Sequence, residues 1–122
     1  MRLLLTASLA LALSSSLFAA DDIMANYYGN TVIAKSAAGE SRIHYKADHT
    51  FDASLSSSQG SMDAAGTWAI DDKGELCRTY STPVPGLPNP LCYAWAAHKI
   101  GDNWQVALGG RTAELSLVAG IQ

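Results

Sequence analysis

The stretch Arg42-Ile43-His44-Tyr45-Lys46-Ala47-Asp48-His49-Thr50-Phe51-Asp52-Ala53-Ser54-Leu55 decides how this chain folds. Before Ala47-Asp48-His49, Ile43 and Tyr45 alternate with Arg42, His44 and Lys46; after it, Phe51, Ala53 and Leu55 alternate with Asp52 and Ser54. A period of two places successive side chains on opposite faces of a strand, so each run turns an apolar face to a core and a polar face to water. The triplet between them suits a tight reversal, and the whole reads as an antiparallel hairpin.

The same period recurs outward in both directions. Trp68 and Ile70 alternate with Thr67 and Ala69, and short runs follow at Leu76 to Tyr80, Leu91 to Ala96, Trp104 to Leu108 and Ala113 to Val118. An opening strand is expected from Asn30 to Lys35. Turn signals at Ala38-Gly39-Glu40, Gln59-Gly60, Asp71-Asp72-Lys73-Gly74, Gly101-Asp102-Asn103 and Gly109-Gly110 are mostly short enough to join neighbouring strands. The pattern predicts an all-β fold: a small antiparallel up-and-down barrel of about eight short strands. Closure is favoured over an open twisted sheet because it removes exposed edges. Ile23 to Gly29 predicts a short helix or turn suited to plugging one barrel end, and the Ser- and Gly-rich stretch from Ser56 to Ala65 reads as a longer, mobile connection.

Residues 1–20 read as a signal peptide. Arg2 supplies the positive start, Leu3 to Leu13 the apolar run, and Ala19-Ala20 the small residues ahead of Asp21-Asp22. A membrane anchor needs about 20 apolar residues, and Ser14-Ser15-Ser16 interrupts this run. Cleavage after Ala20, with Ala19 the alternative, leaves residues 21–122 as a single domain that is periplasmic or secreted, with no membrane span. Its length of about 100 residues suffices for one modest core. Seven basic side chains remain against eleven acidic ones, and they are scattered. Phosphate binding needs clustered Lys and Arg, so nucleic acid is excluded as a partner.

Cys77 and Cys92 are expected to form a disulfide, because export places them where disulfides persist. Fourteen residues lie between them, and closing such a loop stabilises by about 3 kcal/mol in the chain-entropy model. No second pair of Cys or His stands at ligand spacing, so no metal or other cofactor is expected. The cysteines bracket Pro83-Val84-Pro85-Gly86-Leu87-Pro88-Asn89-Pro90. Proline fixes φ and lacks an amide donor, so this segment should leave the sheet as a stiff excursion. Val84, Leu87 and Leu91 are a candidate interface on it; the plainer reading is a loop folded back over a barrel mouth.

His44, His49 and His98 belong to no two-His motif and read as solvent-facing. A pocket of His49, Asp48 and Asp52 is the one place for acid–base chemistry. No Ser has an activating base at a recognisable spacing, and Asp71-Asp72 mark a hairpin tip, so no catalytic residue is assigned. Tyr45, Trp68, Tyr93, Trp95 and Trp104 fall on the inferred inner faces. An eight-stranded barrel is either just filled by its side chains or holds one small ligand. The large inward residues favour filling; in a hollow barrel those five would line a site for a small apolar molecule. The chain is thus expected to be a non-enzymatic exported binding module whose partner is a small apolar ligand or an envelope protein. The alternatives are an inhibitor or accessory subunit docking on an envelope enzyme, and a small envelope enzyme with its site near His49 and Asp52.

Gly66-Thr67-Trp68-Ala69-Ile70-Asp71, Gly74-Glu75-Leu76-Cys77, Cys92-Tyr93, Ile100-Gly101-Asp102-Asn103-Trp104 and Gly110-Arg111-Thr112-Ala113-Glu114-Leu115 together resemble small exported proteobacterial proteins of unassigned function. In those a G-x-W strand, an L-C strand and a later Cys recur before a closing hairpin, and the resemblance covers most of residues 28–120. The general plan is lipocalin-like, but the chain is too short for a full lipocalin calyx, so ligand binding does not carry over. A weaker similarity is to periplasmic barrels that inhibit proteases through an N-terminal trunk; Asp21 to Ala25 is short and acidic by comparison. Neither resemblance brings a catalytic residue, and a shared fold does not fix function.

Overall fold

The hairpin expected from Arg42 to Leu55 pairs His44 with Asp52, Ile43 with Ala53 and Tyr45 with Phe51. It lies within a computed structural model that describes residues 23–108 and 110–122. The expected signal peptide falls outside the described residues. Eight strands follow in order: β1 (Thr31–Ser36), β2 (Gly39–Tyr45), β3 (Thr50–Ser57), β4 (Gly60–Ile70), β5 (Glu75–Tyr80), β6 (Leu91–Ala94), β7 (Asn103–Leu108) and β8 (Arg111–Val118). They form one antiparallel sheet in the order β6-β5-β4-β3-β2-β1-β8-β7. The sheet curls into a nearly closed barrel. β1 pairs with β8 from Thr31↔Val118 to Lys35↔Glu114, while β6 and β7 flank a seam without a ladder.

The up-and-down order gives the barrel two ends. Connections 37–38, 58–59 and 81–90 and the strand ends at Leu108 and Arg111 cluster at the mouth; 46–49, 71–74, 95–102, 23–30 and the segment after β8 cluster at the base. The base is closed by the turn ahead of β1. Met24 and Tyr27 are buried there, Tyr27 Oη donates to the Ala96 carbonyl at 2.8 Å, and Asn26 Nδ2 donates to the His98 carbonyl at 2.9 Å. After β8, Thr31 Oγ1 donates to the Gly120 carbonyl at 2.8 Å and accepts from the Gln122 amide at 2.9 Å.

The inner face follows the alternation. Leu76, Arg78 and Tyr80 of β5, Leu91 and Tyr93 of β6, and Ala113, Leu115 and Leu117 of β8 are all buried. Cys77 and Cys92 have the opposite parity, stand directly across from each other and are joined by the disulfide on the outer face, with Cα atoms 4.0 Å apart. Gly66 marks the closest approach of two strands: a Cβ there would run into the Thr79 carbonyl, so only glycine lets β4 approach β5 this closely.

Two expectations are corrected. Ser56 to Ala65 is not a mobile connection, because β3 and β4 stay paired through Leu55↔Met62, Ser56↔Ser61 and Ser57↔Gly60, with only Ser58-Gln59 as the turn. Most side chains there are exposed, so the apolar alternation that identifies a strand is absent although the backbone ladder is intact. The strand expected to run to Ala96 ends at Ala94. From Trp95 the chain leaves β5, with the Trp95 amide reaching only the Gly74 carbonyl at 3.3 Å.

Candidate functional site

The aromatic residues on the inner faces are unevenly distributed. At the base, Tyr27 packs on Trp95 with centroids 5.1 Å apart and stands edge-on to Tyr45 at 6.3 Å. Tyr45 stands edge-on to Trp68 at 6.4 Å, and Trp95 edge-on to Trp104 at 6.0 Å. Trp68 is 2% exposed, and its Nε1 donates to the Lys46 carbonyl at 2.9 Å. Four of the five residues expected to line a ligand site, Tyr45, Trp68, Trp95 and Trp104, therefore form a packed cluster instead. The fifth, Tyr93, faces a cavity.

That cavity opens at the mouth and holds about 490 Å³, within the range of small-molecule sites. Its walls are apolar: Ala34, Leu55, Val84, Leu87, Leu91, Val106, Leu108, Ala113 and Leu115. Ser36, Glu40, Ser57, Gln59 and Arg111 bring polar groups to the lining from the mouth turns. Met62, on the β3–β4 hairpin, is 41% exposed and also lines it. The proline segment forms one wall. The Leu87 amide bonds the Val84 carbonyl at 3.1 Å, and the Asn89 side-chain amide pairs with both backbone groups of Tyr80, at 2.8 and 3.2 Å, as a neighbouring strand would. Val84 and Leu91 are buried and Leu87 packs against the core, so the three residues read as a candidate interface face the cavity.

The cavity also reaches a charge that no motif in the sequence marks. Arg78 is only 6% exposed. Its Nη1 donates to Tyr45 Oη at 2.9 Å, and its Cζ lies 5.5 to 5.8 Å from the centroids of Phe51, Tyr80 and Tyr93. A guanidinium stays protonated in proteins, so Arg78 is cationic; burial works against that charge, and the interactions with Tyr45, Tyr93 and Tyr80, including the hydrogen bond to Tyr45, raise its pKa above the ordinary value. None of the ion pairs among the described residues includes Arg78, and its Nε is buried without a hydrogen-bond partner. Parity was the available signal, since Arg78 stands between Leu76 and Tyr80 on the inward side of an alternating strand.

His49 is exposed, as a solvent-facing histidine should be, whereas His44 and His98 are half-buried, and the alternative pocket of His49, Asp48 and Asp52 is not assembled. His49 has a left-handed backbone (φ 69°) and stacks on Trp68 at 4.2 Å. Asp48 accepts from the amide and hydroxyl of Thr50, whose bonds hold its carboxyl below the usual range. Asp52 faces outward and binds His44 Nδ1 at 2.6 Å and Lys46 Nζ at 3.0 Å. Partial burial would raise the Asp52 carboxyl's pKa, and these two partners overcome that and lower it. His98 stacks on Trp104 at 3.7 Å and bonds Asp102 at 3.2 Å.

The His44–Asp52 pair borders an outer depression of about 740 Å³ with Ser54, Asp63, Ser81 and Thr82. The other His44 nitrogen meets the backbone oxygen of Gln122 at 3.3 Å, so both ring nitrogens are engaged and neither is open to a nucleophile. Among the described residues no group of three or more His, Cys, Asp or Glu side chains lies together as metal ligands would, and no helix is long and apolar enough to cross a membrane.

No curated protein and no solved structure matches the chain. A family model described as "Protein of unknown function (DUF995)" matches residues 6–100, from ahead of the described residues through β6 into the connection before β7. With most of its length inside that match, and with the disulfide, the proline wall and Arg78 all within it, the chain belongs to the DUF995 family.

Proposed function

We propose that this protein is a non-enzymatic exported binding module that holds one small, largely apolar molecule in the barrel mouth. The observation that carries the reading is the apolar cavity of about 490 Å³ at one end of a barrel whose other end is packed solid. A site that exists before its ligand arrives needs little reorganisation, and apolar walls with a few converging polar groups are the usual character of such sites. The wall between the cysteines is pre-organised by its prolines and by the Asn89 bonds to Tyr80. Binding rather than catalysis is favoured because both ring nitrogens of His44 in the outward His44–Asp52 pair are engaged, and the His98–Asp102 pair lies away from the cavity, stacked on Trp104 at the base.

Titration with Nile red, a neutral probe that brightens in apolar surroundings, tests the reading. Saturable binding that weakens in Ala34→Phe, whose ring would occupy the cavity, is expected. A probe that does not bind, or binds equally well to a folded Ala34→Phe variant, overturns it. Export belongs to the same proposal and rests on the character of residues 1–20. Fractionation of the native host should recover a chain beginning at Ala20 or Asp21 outside the cytoplasm; an intact Met1 or its following leader on the mature protein overturns that part.

A further inference from the structure

We propose that the ligand of the mouth cavity is a single-chain amphiphile carrying one carboxylate, bound head-inward with its carboxylate on Arg78. This rests on the reading of the cavity as a binding site and adds the ligand's charge, its number of charges and its orientation.

A guanidinium that is 6% exposed, with a buried orphan Nε and no carboxylate partner among the described residues, is costly to maintain in an apolar interior. The rings of Phe51, Tyr80 and Tyr93 and the Tyr45 hydroxyl hold the cation in place without neutralising it. Arg78 lines the cavity, so the missing counter-charge has access from the mouth. A carboxylate fits this donor in three respects. It accepts the guanidinium's planar fork of donors. Its single charge matches Arg78, the one buried cation among the described residues, whereas a phosphate monoester carries about −1.5 to −2 and would leave excess charge buried. It is also small enough to lie on the cavity floor beside Tyr93.

Orientation follows from where the apolar surface lies. Arg78 sits midway along β5, and between it and the mouth the walls are Leu55, Val84, Leu87 and Leu108, with Met62 exposed beyond them. An alkyl tail extending from a head at Arg78 runs along these side chains to the mouth. The reverse pose would leave the head at the mouth among Ser36, Gln59 and Arg111, seat the apolar tail end against the buried guanidinium and leave Arg78 unpaired.

Displacement of Nile red at neutral pH by dodecanoate, dodecanol, dodecylamine and dodecyl phosphate separates the possibilities. Dodecanoate should displace the probe at concentrations about tenfold below those of dodecanol, with dodecylamine weakest and dodecyl phosphate weaker than dodecanoate. In Arg78→Met the preference for dodecanoate over dodecanol should vanish while Nile red binding persists. Nile red that fails to bind the unaltered protein overturns the cavity reading and this inference together. Nile red that binds while dodecanol matches dodecanoate overturns the anionic head alone, and dodecyl phosphate as tight as dodecanoate overturns the carboxylate assignment. Should Arg78→Met fail to fold, carbon NMR of carboxyl-labelled dodecanoate on the unaltered protein decides. The bound carboxyl should remain ionised to a lower pH than the free acid, and a bound carboxyl that titrates at or above the free acid overturns contact with Arg78.

Discussion

The two ends of this barrel are built from the same eight strands but solve opposite problems. At the base, Met24 and Tyr27 drop into the opening, and Tyr45, Trp68, Trp95 and Trp104 fill it ring against ring. At the mouth the inward residues shrink to Ala34, Ala113, Val84 and Leu108, and the space they leave is the cavity. Side-chain volume at inward positions, more than strand number, therefore decides which half is core and which half is site. A packed half can give the stability that lets the other half remain open.

The sharpest way to break this contrast is to remove volume from each end in turn. Trp68→Ala should cost about 3–5 kcal/mol in urea unfolding, since it empties the middle of the aromatic cluster. Leu108→Ala, at the half-exposed rim, should cost under about 1 kcal/mol. Equal losses at the two positions would erase the distinction between packed base and open mouth.

The next effect concerns the bond that ties the mouth wall. Cys77→Ser combined with Cys92→Ser should lower stability by about 2–4 kcal/mol and weaken Nile red binding, because Val84 and Leu87 lie on the segment that the bridge closes. Undiminished binding in a folded double variant would show that Asn89 and the prolines hold the wall alone. Gly66→Ala should cost about 1–3 kcal/mol, as its Cβ meets the Thr79 carbonyl and forces β4 away from β5. Chemical unfolding would detect this, and a neutral outcome would mean that the two strands can separate freely.

The smallest expected effect is electrostatic and lies outside both ends. The Asp52 carboxyl is held below its ordinary value of 3.8 by His44 and Lys46, which overcome its partial burial. A carboxyl with a lowered folded-state pKa contributes stability above its unfolded value and loses it as pH falls through the folded one. The unfolding midpoint should therefore fall as pH drops below about 4, and Asp52→Asn should flatten that fall slightly. Asp48 and Asp102, lowered by their bonds to Thr50 and to the Lys99 amide, contribute in the same direction. An identical acid profile in Asp52→Asn would assign the whole effect to those two.

The hairpin at Arg42 to Leu55, the turn positions and the Cys77–Cys92 bridge were all legible, because each depends on local chemistry: alternation, turn residues and the oxidation of two available thiols. The β3–β4 hairpin was not, since a backbone ladder through Ser54 to Asp63 needs no apolar side chains to mark it. The histidines misled for a related reason. His44 has cationic neighbours in sequence, yet its partner Asp52 lies across the hairpin and Gln122 comes from beyond β8.

By itself the sequence determined an all-β chain of eight strands, which faces alternate inward, and the strand boundaries to within a few residues except at β4, whose first half reads as connection. Only the tertiary structure decided that the large rings would gather at one end, that the proline segment would turn Val84 and Leu87 into the cavity, and that Arg78 would be enclosed without a carboxylate. The physical reason is that a strand's period is encoded residue by residue, whereas the space enclosed by eight strands depends on all their inward volumes and on the register that brings them together.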